Sequence, residues 1–144
     1  MNERIAHSLP DLSAFAHEFV GGLSPKKGAT VVALTGNLGA GKTAFAQMLG
    51  EVLGVEEHVV SPTFILMRTY ATKHPVWKKF VHIDAYRFEE EREADVLRLP
   101  EIFLEASTLV VIEWPERIGE LLPKDAIELT FEINPDDSRR IMYA

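Results

Sequence analysis

The stretch ALTGNLGAGKTAFAQML, residues 33–49, places a glycine-rich turn between an apolar run and a helical pattern. Within it, residues 36–43 match the pattern G-x-x-x-x-G-K-[ST] at each fixed position. Glycines have no Cβ, so successive backbone N–H groups of such a turn can point inward, and the helix that follows directs its positive end at the same point. The stretch therefore predicts a binding site for the phosphates of a nucleotide.

The surroundings of the turn have the pattern that such a site requires. Residues 29–36, ATVVALTG, form a short apolar run rich in β-branched side chains, which predicts a strand buried on both faces at the centre of a sheet. From Lys42 onward, apolar residues recur at helical spacing until Gly54. In a site of this kind Lys42 reaches between the β- and γ-phosphates, and the Thr43 hydroxyl coordinates Mg²⁺.

The remaining patterns predict a single α/β domain over residues 1–144. We expect a P-loop NTPase fold, in which a central, mostly parallel sheet with antiparallel additions is flanked by helices. The predicted elements are a first helix at 8–19, an antiparallel pair of strands at 63–73 and 77–88, a charged helix at 89–106 that is broken near Pro100, a buried strand at 107–116, a brief helix at 117–122, and a hairpin of 126–133 with 138–144.

Composition narrows the class of function. The chain of 144 residues has a net charge of -7 and a pI near 5.2, which argues against unaided binding to a nucleic-acid backbone. It has no cysteine, which excludes disulfides, thiolate ligands and cysteine nucleophiles. Its five histidines form no close pair at helical ligand spacing, so we expect them to be solvated or at the edge of the core. No stretch is apolar enough to span a bilayer and no export signal is evident, so we expect a cytoplasmic protein without membrane contact.

Two acids follow predicted strands. Glu113 ends the run TLVVIE, and Asp84 ends the run FVHID. A phosphate-binding turn needs an acid that holds the metal ion or orients the attacking water, and both residues are candidates for either role. The alternative for each is a turn residue or a helix cap.

Two further positions are candidates with a plainer alternative. Thr63 and Ser61, in the segment SPTF, are placed where a loop could sense the γ-phosphate. The residues alone favour a turn at the start of a strand. Trp114 directly follows Glu113 and is either a packing residue or an anchor for a partner.

Four segments within residues 36–116 together resemble the TsaE family, also called YjeE: GNLGAGKT, SPTFILMRTY, HIDAYRF and VVIEWPE. Members of that family are small bacterial ATPases required for forming threonylcarbamoyladenosine on tRNA. The resemblance implies ATP and Mg²⁺ as ligands and Glu113, Asp84 and Lys42 as catalytic groups. It implies that Thr43 and the two carboxylates hold the metal. The implied nucleotide-binding set is Gly36, Asn37, Leu38, Gly39, Ala40, Gly41, Lys42, Thr43, Thr63 and Trp114.

The same resemblance implies partners. In the family, TsaD and TsaB transfer the threonylcarbamoyl group to an adenosine of tRNA, and the ATPase supports them without performing that transfer. The ATPase is weak alone, and contact with tRNA is expected only through the partners, in agreement with the acidic charge of this chain. Arg87 is the local candidate for an arginine finger, with a surface ion pair as the alternative.

Other functions stay open on the residues alone. A small-molecule kinase would carry the same turn, but it also needs an acceptor site and an arginine-rich lid, for which only EEEREADVLR, residues 89–98, is a candidate. A nucleotide-binding regulator without hydrolysis would leave Glu113 and Asp84 inert. A GTPase is disfavoured because the sequence has no N-K-x-D segment.

Overall fold

The computed structural model describes residues 2–37, 39–57, 59, 67–86 and 98–144. The strands in these ranges are β1 Asn2–Ala6, β2 Thr30–Gly36, β3 Met67–Ala71, β4 Lys79–Asp84, β5 Thr108–Glu113, β6 Ile127–Ile133 and β7 Arg139–Tyr143. The helices are α1 Leu9–Gly21, α2 Lys42–Val52, α3 Leu99–Ile102 and a 3-10 helix, Pro115–Leu121. None of these described helices is long and apolar enough to cross a membrane.

The sheet is parallel at its centre and antiparallel at both edges. Over the described residues its strand order is β1-β7-β6-β2-β5-β4-β3. The pairs β6–β2, β2–β5 and β5–β4 are parallel, whereas β3 pairs antiparallel with β4, and β7 pairs antiparallel with both β6 and β1. The predicted fold class is therefore confirmed: a P-loop NTPase fold with a mostly parallel central sheet, antiparallel additions and flanking helices.

β2 lies at the centre because its side chains are apolar on both faces. Val32 belongs to the core on one face, where α1 and α2 cover the sheet, and the rings of Phe15 and Phe45 lie 5.6 Å apart there. Val31 belongs to the core on the opposite face, which includes Leu99 of α3. Helices thus cover both faces, and the ends of the central strands are left for a site.

Three neighbouring parallel strands have their carboxyl ends side by side at one end of the sheet. β2 ends at Gly36, β5 ends at Glu113 and β4 ends at Asp84. Asp84 and Glu113 are register partners, so their side chains project from the same face of the sheet. α2 begins at Lys42, and the turn that precedes it therefore leaves the sheet beside both acids.

The predicted elements that fall on described residues agree with the structure in type, with different boundaries. The antiparallel pair β3–β4, the buried strand β5 and the hairpin β6–β7 are confirmed. The predicted brief helix is a 3-10 helix that begins earlier, at Pro115. Of the predicted charged helix, residues 89–97 lie outside the described residues, and α3 follows them. Pro100 stands in the first turn of α3, where its missing N–H breaks no helical hydrogen bond.

The sequence patterns do not predict β1. Its sequence, NERIA, has polar residues at three of five positions, and Ala6 is its fully buried member. Long-range pairing creates the strand: Arg4 lies opposite Ile141 of β7, and Arg4 also forms an ion pair with Glu18 of α1. β1 therefore determines where the chain enters α1, close to the turn before α2.

Candidate functional site

Glycines at its two ends allow the turn between β2 and α2. Gly36 has a φ of 138° and Gly41 a φ of 104°, conformations that other residues rarely adopt. At Gly36, an added Cβ would lie 2.4 Å from the carbonyl oxygen of Phe131 in β6. Gly41 is the N-cap of α2, and no side chain of the described residues caps this helix. The first N–H groups of α2 are thus presented as an anion-binding helix start requires.

Lys42 is a buried cation beside this turn. Its Nζ donates a hydrogen bond to the carbonyl oxygen of Gly36 at 2.5 Å and lies 3.6 Å from the centroid of the Trp114 ring. Burial lowers the pKa of Lys42 from its ordinary value of 10.5, while nearby carboxylates, Glu113 foremost, oppose the shift. The ammonium is therefore held in place by a carbonyl group, an aromatic face and the field of the acids.

Trp114 closes one side of the site. Its backbone is left-handed, with a φ of 62°, a conformation that costs a non-glycine residue about 1–2 kcal/mol. Its ring centroid lies 5.0 Å from that of Tyr86, and the Arg117 guanidinium lies 5.8 Å from the Tyr86 ring centroid. Trp114 thus packs against neighbouring side chains, and it also lines a pocket together with Lys42 and Glu113.

Both carboxylate oxygens of Glu113 are hydrogen-bonded. The Thr43 hydroxyl donates to Oε1 at 2.8 Å, and Nε2 of His82 lies 2.6 Å from Oε2. Glu113 is 3% exposed and His82 is fully buried. One carboxylate therefore connects the first turn of α2 with the ends of two neighbouring strands.

Asp84 makes the contact of a turn residue and also lines the pocket. Its Oδ1 accepts a hydrogen bond from the backbone N–H of Tyr86 at 3.0 Å, which is the contact of a turn residue. The backbone N–H of Ala85 donates to the carbonyl oxygen of Glu113 at 3.0 Å and keeps the two strand ends together. Asp84 is 7% exposed and still lines the same pocket as Glu113.

One pocket of about 650 Å³ contains most of these groups. This volume is typical of sites for small organic ligands. At one end it is lined by predicted site residues, namely Gly39, Gly41, Lys42, Thr43, Asp84, Glu113 and Trp114. The other end lies on the far side of β2, at the β1–α1 junction and the β6–β7 turn, and includes His7, Leu9, Leu12 and Asp137, while the Arg139 side chain lies beside Gly41.

The remaining predicted residues lie elsewhere. Gly36, Asn37 and Ala40 line a separate, smaller pocket together with residues 130–133 of β6. Gly36 still takes part in the main site through its carbonyl group, which accepts the hydrogen bond from Lys42. Four predicted candidates lie outside the described residues: Leu38, Ser61, Thr63 and Arg87.

The prediction for the histidines is wrong at His82. This residue is neither solvated nor at the core edge, because its side chain is fully buried and contacts Glu113. The available signal was strand alternation, since His82 stands two residues before Asp84 and so lies on the same face of β4. The residues at the far end of the pocket gave no local signal, since they come from the chain segments around β1 and β7.

Comparison with known proteins identifies the family. The family model described as threonylcarbamoyl adenosine biosynthesis protein TsaE matches residues 6–141. The chain belongs to the TsaE family. A protein from Rickettsia bellii named tRNA threonylcarbamoyladenosine biosynthesis protein TsaE is 34% identical over 139 residues, which cover 96% of this chain and 91% of that relative. A Bacillus subtilis protein of the same name is 35% identical over 113 residues, covering 78% of this chain and 68% of the relative.

A solved structure supports the same assignment. The crystal structure of Bacillus subtilis YdiB superposes with a TM-score of 0.79 at 26% identity, covering 99% of this chain and 83% of that chain. The resemblance to the TsaE family predicted from four short segments is therefore confirmed. The range matched by the TsaE model, residues 6–141, contains every residue that lines the 650 Å³ pocket.

Proposed function

We propose that this chain hydrolyses ATP, with Mg²⁺, in support of a TsaD–TsaB complex that forms threonylcarbamoyladenosine on tRNA, and that it does not transfer the threonylcarbamoyl group itself. The observation that carries the proposal is the convergence of Lys42, Thr43 and Glu113 on one pocket, with Thr43 and Glu113 in hydrogen-bond contact. The turn before α2 suits the binding of phosphates, and the Glu113 carboxylate lies beside the Thr43 hydroxyl, which is suited to bind a metal ion. Together these groups suit the transfer of a phosphoryl group to water. The tRNA modification in the proposal comes from the relatives, which are named for threonylcarbamoyladenosine biosynthesis.

The donor atoms of the pocket fit a magnesium ion. Mg²⁺ prefers hard oxygen ligands, and the Thr43 hydroxyl and the carboxylates of Glu113 and Asp84 line the same pocket. The hydrogen bond of 2.8 Å between Thr43 and Glu113 already holds two of these oxygens together. When bound, Mg²⁺ neutralises charge on the β- and γ-phosphate oxygens.

The chain's own groups divide the remaining work. The N–H groups at the start of α2 bind the β-phosphate, and the Lys42 ammonium stabilises charge on the oxygens that join the β- and γ-phosphates. Glu113 and Asp84 together hold the metal and orient a water molecule. That water attacks the γ-phosphorus, the bond from this phosphorus to the bridging oxygen breaks, and ADP and phosphate leave.

The far end of the pocket suits the nucleoside. Leu9 and Leu12 offer apolar surface for a flat base, and Leu9 is 65% exposed, so it has surface to bury. Beside Gly41, Arg139 offers a guanidinium that is held by the backbone carbonyl of Asp137 at 2.5 Å. The triphosphate would then run past Gly41 and Lys42 toward the two acids.

The partners complete the proposal. A chain with a net charge of -7 is poorly suited to bind the tRNA backbone itself, so tRNA contact is assigned to TsaD and TsaB. Arg139 is the one arginine among the described residues that line the pocket, and the backbone carbonyl of Asp137 accepts a hydrogen bond from its guanidinium. A partner that supplies such a group, or orders the site, would raise hydrolysis from a low basal rate.

The test is phosphate release from ATP and from GTP, measured with the chain alone and with TsaD and TsaB. We expect release that is slow alone, selective for ATP and faster with the partners. Lys42→Ala and Glu113→Ala should each lower the rate by about 100-fold or more, because each removes a preorganised charge from the site. Lys124→Ala and Glu120→Ala, which remove exposed charges outside the pocket, are the matched controls.

Each alternative function has its own outcome in this experiment. Release that appears only when a small acceptor is supplied would identify a kinase. Nucleotide binding without release, with or without the partners, would identify a regulator that does not hydrolyse. Either result overturns the proposed function.

A further inference from the structure

His82 is buried beside the candidate site without lining its pocket. Its Nε2 lies 2.6 Å from Oε2 of Glu113. An ionised carboxylate only accepts hydrogen bonds, so Nε2 carries the proton and donates it. Nδ1 of His82 has no hydrogen-bond partner within the described part of the chain. A proton on Nδ1 would be a buried donor without an acceptor, so the surroundings favour the tautomer that is protonated at Nε2.

The bond to His82 restricts the orientation of Glu113. Oε2 is held by His82, and Oε1 accepts the hydrogen bond from the Thr43 hydroxyl. A glutamate side chain with one oxygen anchored can no longer rotate its carboxylate freely. The anchored arrangement keeps Oε1 at the first turn of α2, where the phosphate-binding turn ends.

We propose that His82 is a positioning residue for Glu113: its Nε2–H holds one carboxylate oxygen so that the other is directed at Thr43 and the pocket. The inference rests on the proposed function for the role of Glu113 in hydrolysis. His82 does not touch the nucleotide, since it is fully buried and is not among the pocket-lining residues. It acts through Glu113 alone.

The sheet register explains why histidine suits this position. His82 lies opposite Val111 in β5, and Glu113 follows two residues later on the same face. The donor must therefore reach along the strand direction, which the outer nitrogen of an imidazole does and a shorter side chain does not. Loss of a hydrogen-bond partner behind a metal-site carboxylate typically lowers activity about 10- to 100-fold.

Two amide variants separate positioning from packing. His82→Gln keeps an N–H donor at the distance of Nε2, whereas His82→Asn keeps the amide but draws it back toward the strand. We expect His82→Asn to lower kcat for ATP hydrolysis by about 10- to 100-fold with KM for ATP within about twofold. His82→Gln should recover most of kcat. Val81→Ala, which removes buried volume from the opposite face of the same strand, is the control for destabilisation.

A spectroscopic readout does not depend on hydrolysis. Imidazole ¹⁵N chemical shifts of the unliganded chain should show a proton on Nε2 of His82. Glu113→Ala should shift the Nε2 signal, and Lys124→Ala should not.

The outcomes distinguish the two proposals. If wild-type chain with partners releases no phosphate while the ¹⁵N signals behave as expected, the proposed function fails and the positioning contact stands. If His82→Asn keeps the kcat of Val81→Ala, or if His82→Gln is as impaired as His82→Asn, the positioning role is overturned. A His82 signal that shows no proton on Nε2, or that does not respond to Glu113→Ala, also overturns it.

Discussion

Single residues determine whether the phosphate-binding turn can form. Gly36 ends β2 at a φ of 138°, with the Phe131 carbonyl oxygen 2.4 Å from where a Cβ would stand. The obstacle is backbone of a paired strand, so it cannot move aside as a flexible side chain would. The close approach of β6 to this point and the geometry of the turn therefore depend on the same missing side chain.

Gly36→Ala should lower the free energy of unfolding by about 3 kcal/mol or more, since it combines an unfavourable backbone conformation with a clash. In a domain of this size the melting temperature would fall by about 6–12 °C. Gly21→Ala is the matched control, because a Cβ at Gly21 meets nothing within 4 Å, and its melting temperature should change by no more than about 2 °C. Calorimetry of both variants decides, and equal melting temperatures would contradict the account of Gly36.

At the scale of elements, the pocket depends on the outer strands β1 and β7 as well as on the central strands of the sheet. β1 pairs with β7, and this pairing brings the start of α1 toward the turn before α2. Ser8 caps α1 by accepting a hydrogen bond from the backbone N–H of Asp11, so the helix starts directly beside the pocket. The β1–α1 junction thereby places Leu9 at the pocket wall.

Leu9→Ala should weaken ATP binding about fivefold, because burial of part of a leucine side chain against a ligand contributes about 1 kcal/mol. Leu104→Ala is the control, since Leu104 is also strongly exposed, at 77% against 65% for Leu9, and does not line the pocket. Titration with a fluorescent ATP analogue measures both affinities. Equal affinities of the two variants for ATP would show that the nucleoside does not bind at this end of the pocket.

At the scale of the whole molecule, the fold places two carboxylates near the buried ammonium group of Lys42. Glu113 and Asp84 end adjacent parallel strands, and α2 brings Lys42 to the same edge of the sheet. Burial nevertheless dominates and lowers the pKa of Lys42. Between that lowered pKa and 10.5 the unfolded chain binds more protons at this group than the folded chain does, so the group makes stability rise with pH across this window.

Lys42→Met should therefore be at least as stable as the wild type at pH 7, because it removes the cost of burying the ammonium and keeps the volume. The difference should shrink as the pH rises toward and beyond 10.5, where the wild-type amine loses its proton in the unfolded state as well. Lys124→Met, at an exposed position, should show no such pH-dependent difference. Urea unfolding at pH 7 and pH 9.5 measures the free energy of unfolding of both variants. A Lys42→Met protein that is clearly less stable than the wild type at pH 7 would contradict a lowered pKa of Lys42.

Short-range chemistry encodes several parts of this protein, and these parts could be predicted from the sequence. A few neighbouring residues specify each of three features: the turn with its glycines and Lys42, the apolar run of β2, and the hairpin of β6 with β7. Glu113 and Asp84 could be predicted as candidates because each ends an apolar strand.

Which of these parts contact one another depends on the tertiary structure. Thr43 contacts Glu113 across 70 residues, and His82 contacts Glu113 across 31, so neither pair has a spacing that a local pattern can show. β1 has too few apolar residues to be predicted, and it exists through its pairing with β7. The physical reason is the same in each case. Local propensity depends only on residues that are near in sequence, whereas the order of strands in a sheet depends on the burial of apolar surface over the whole core.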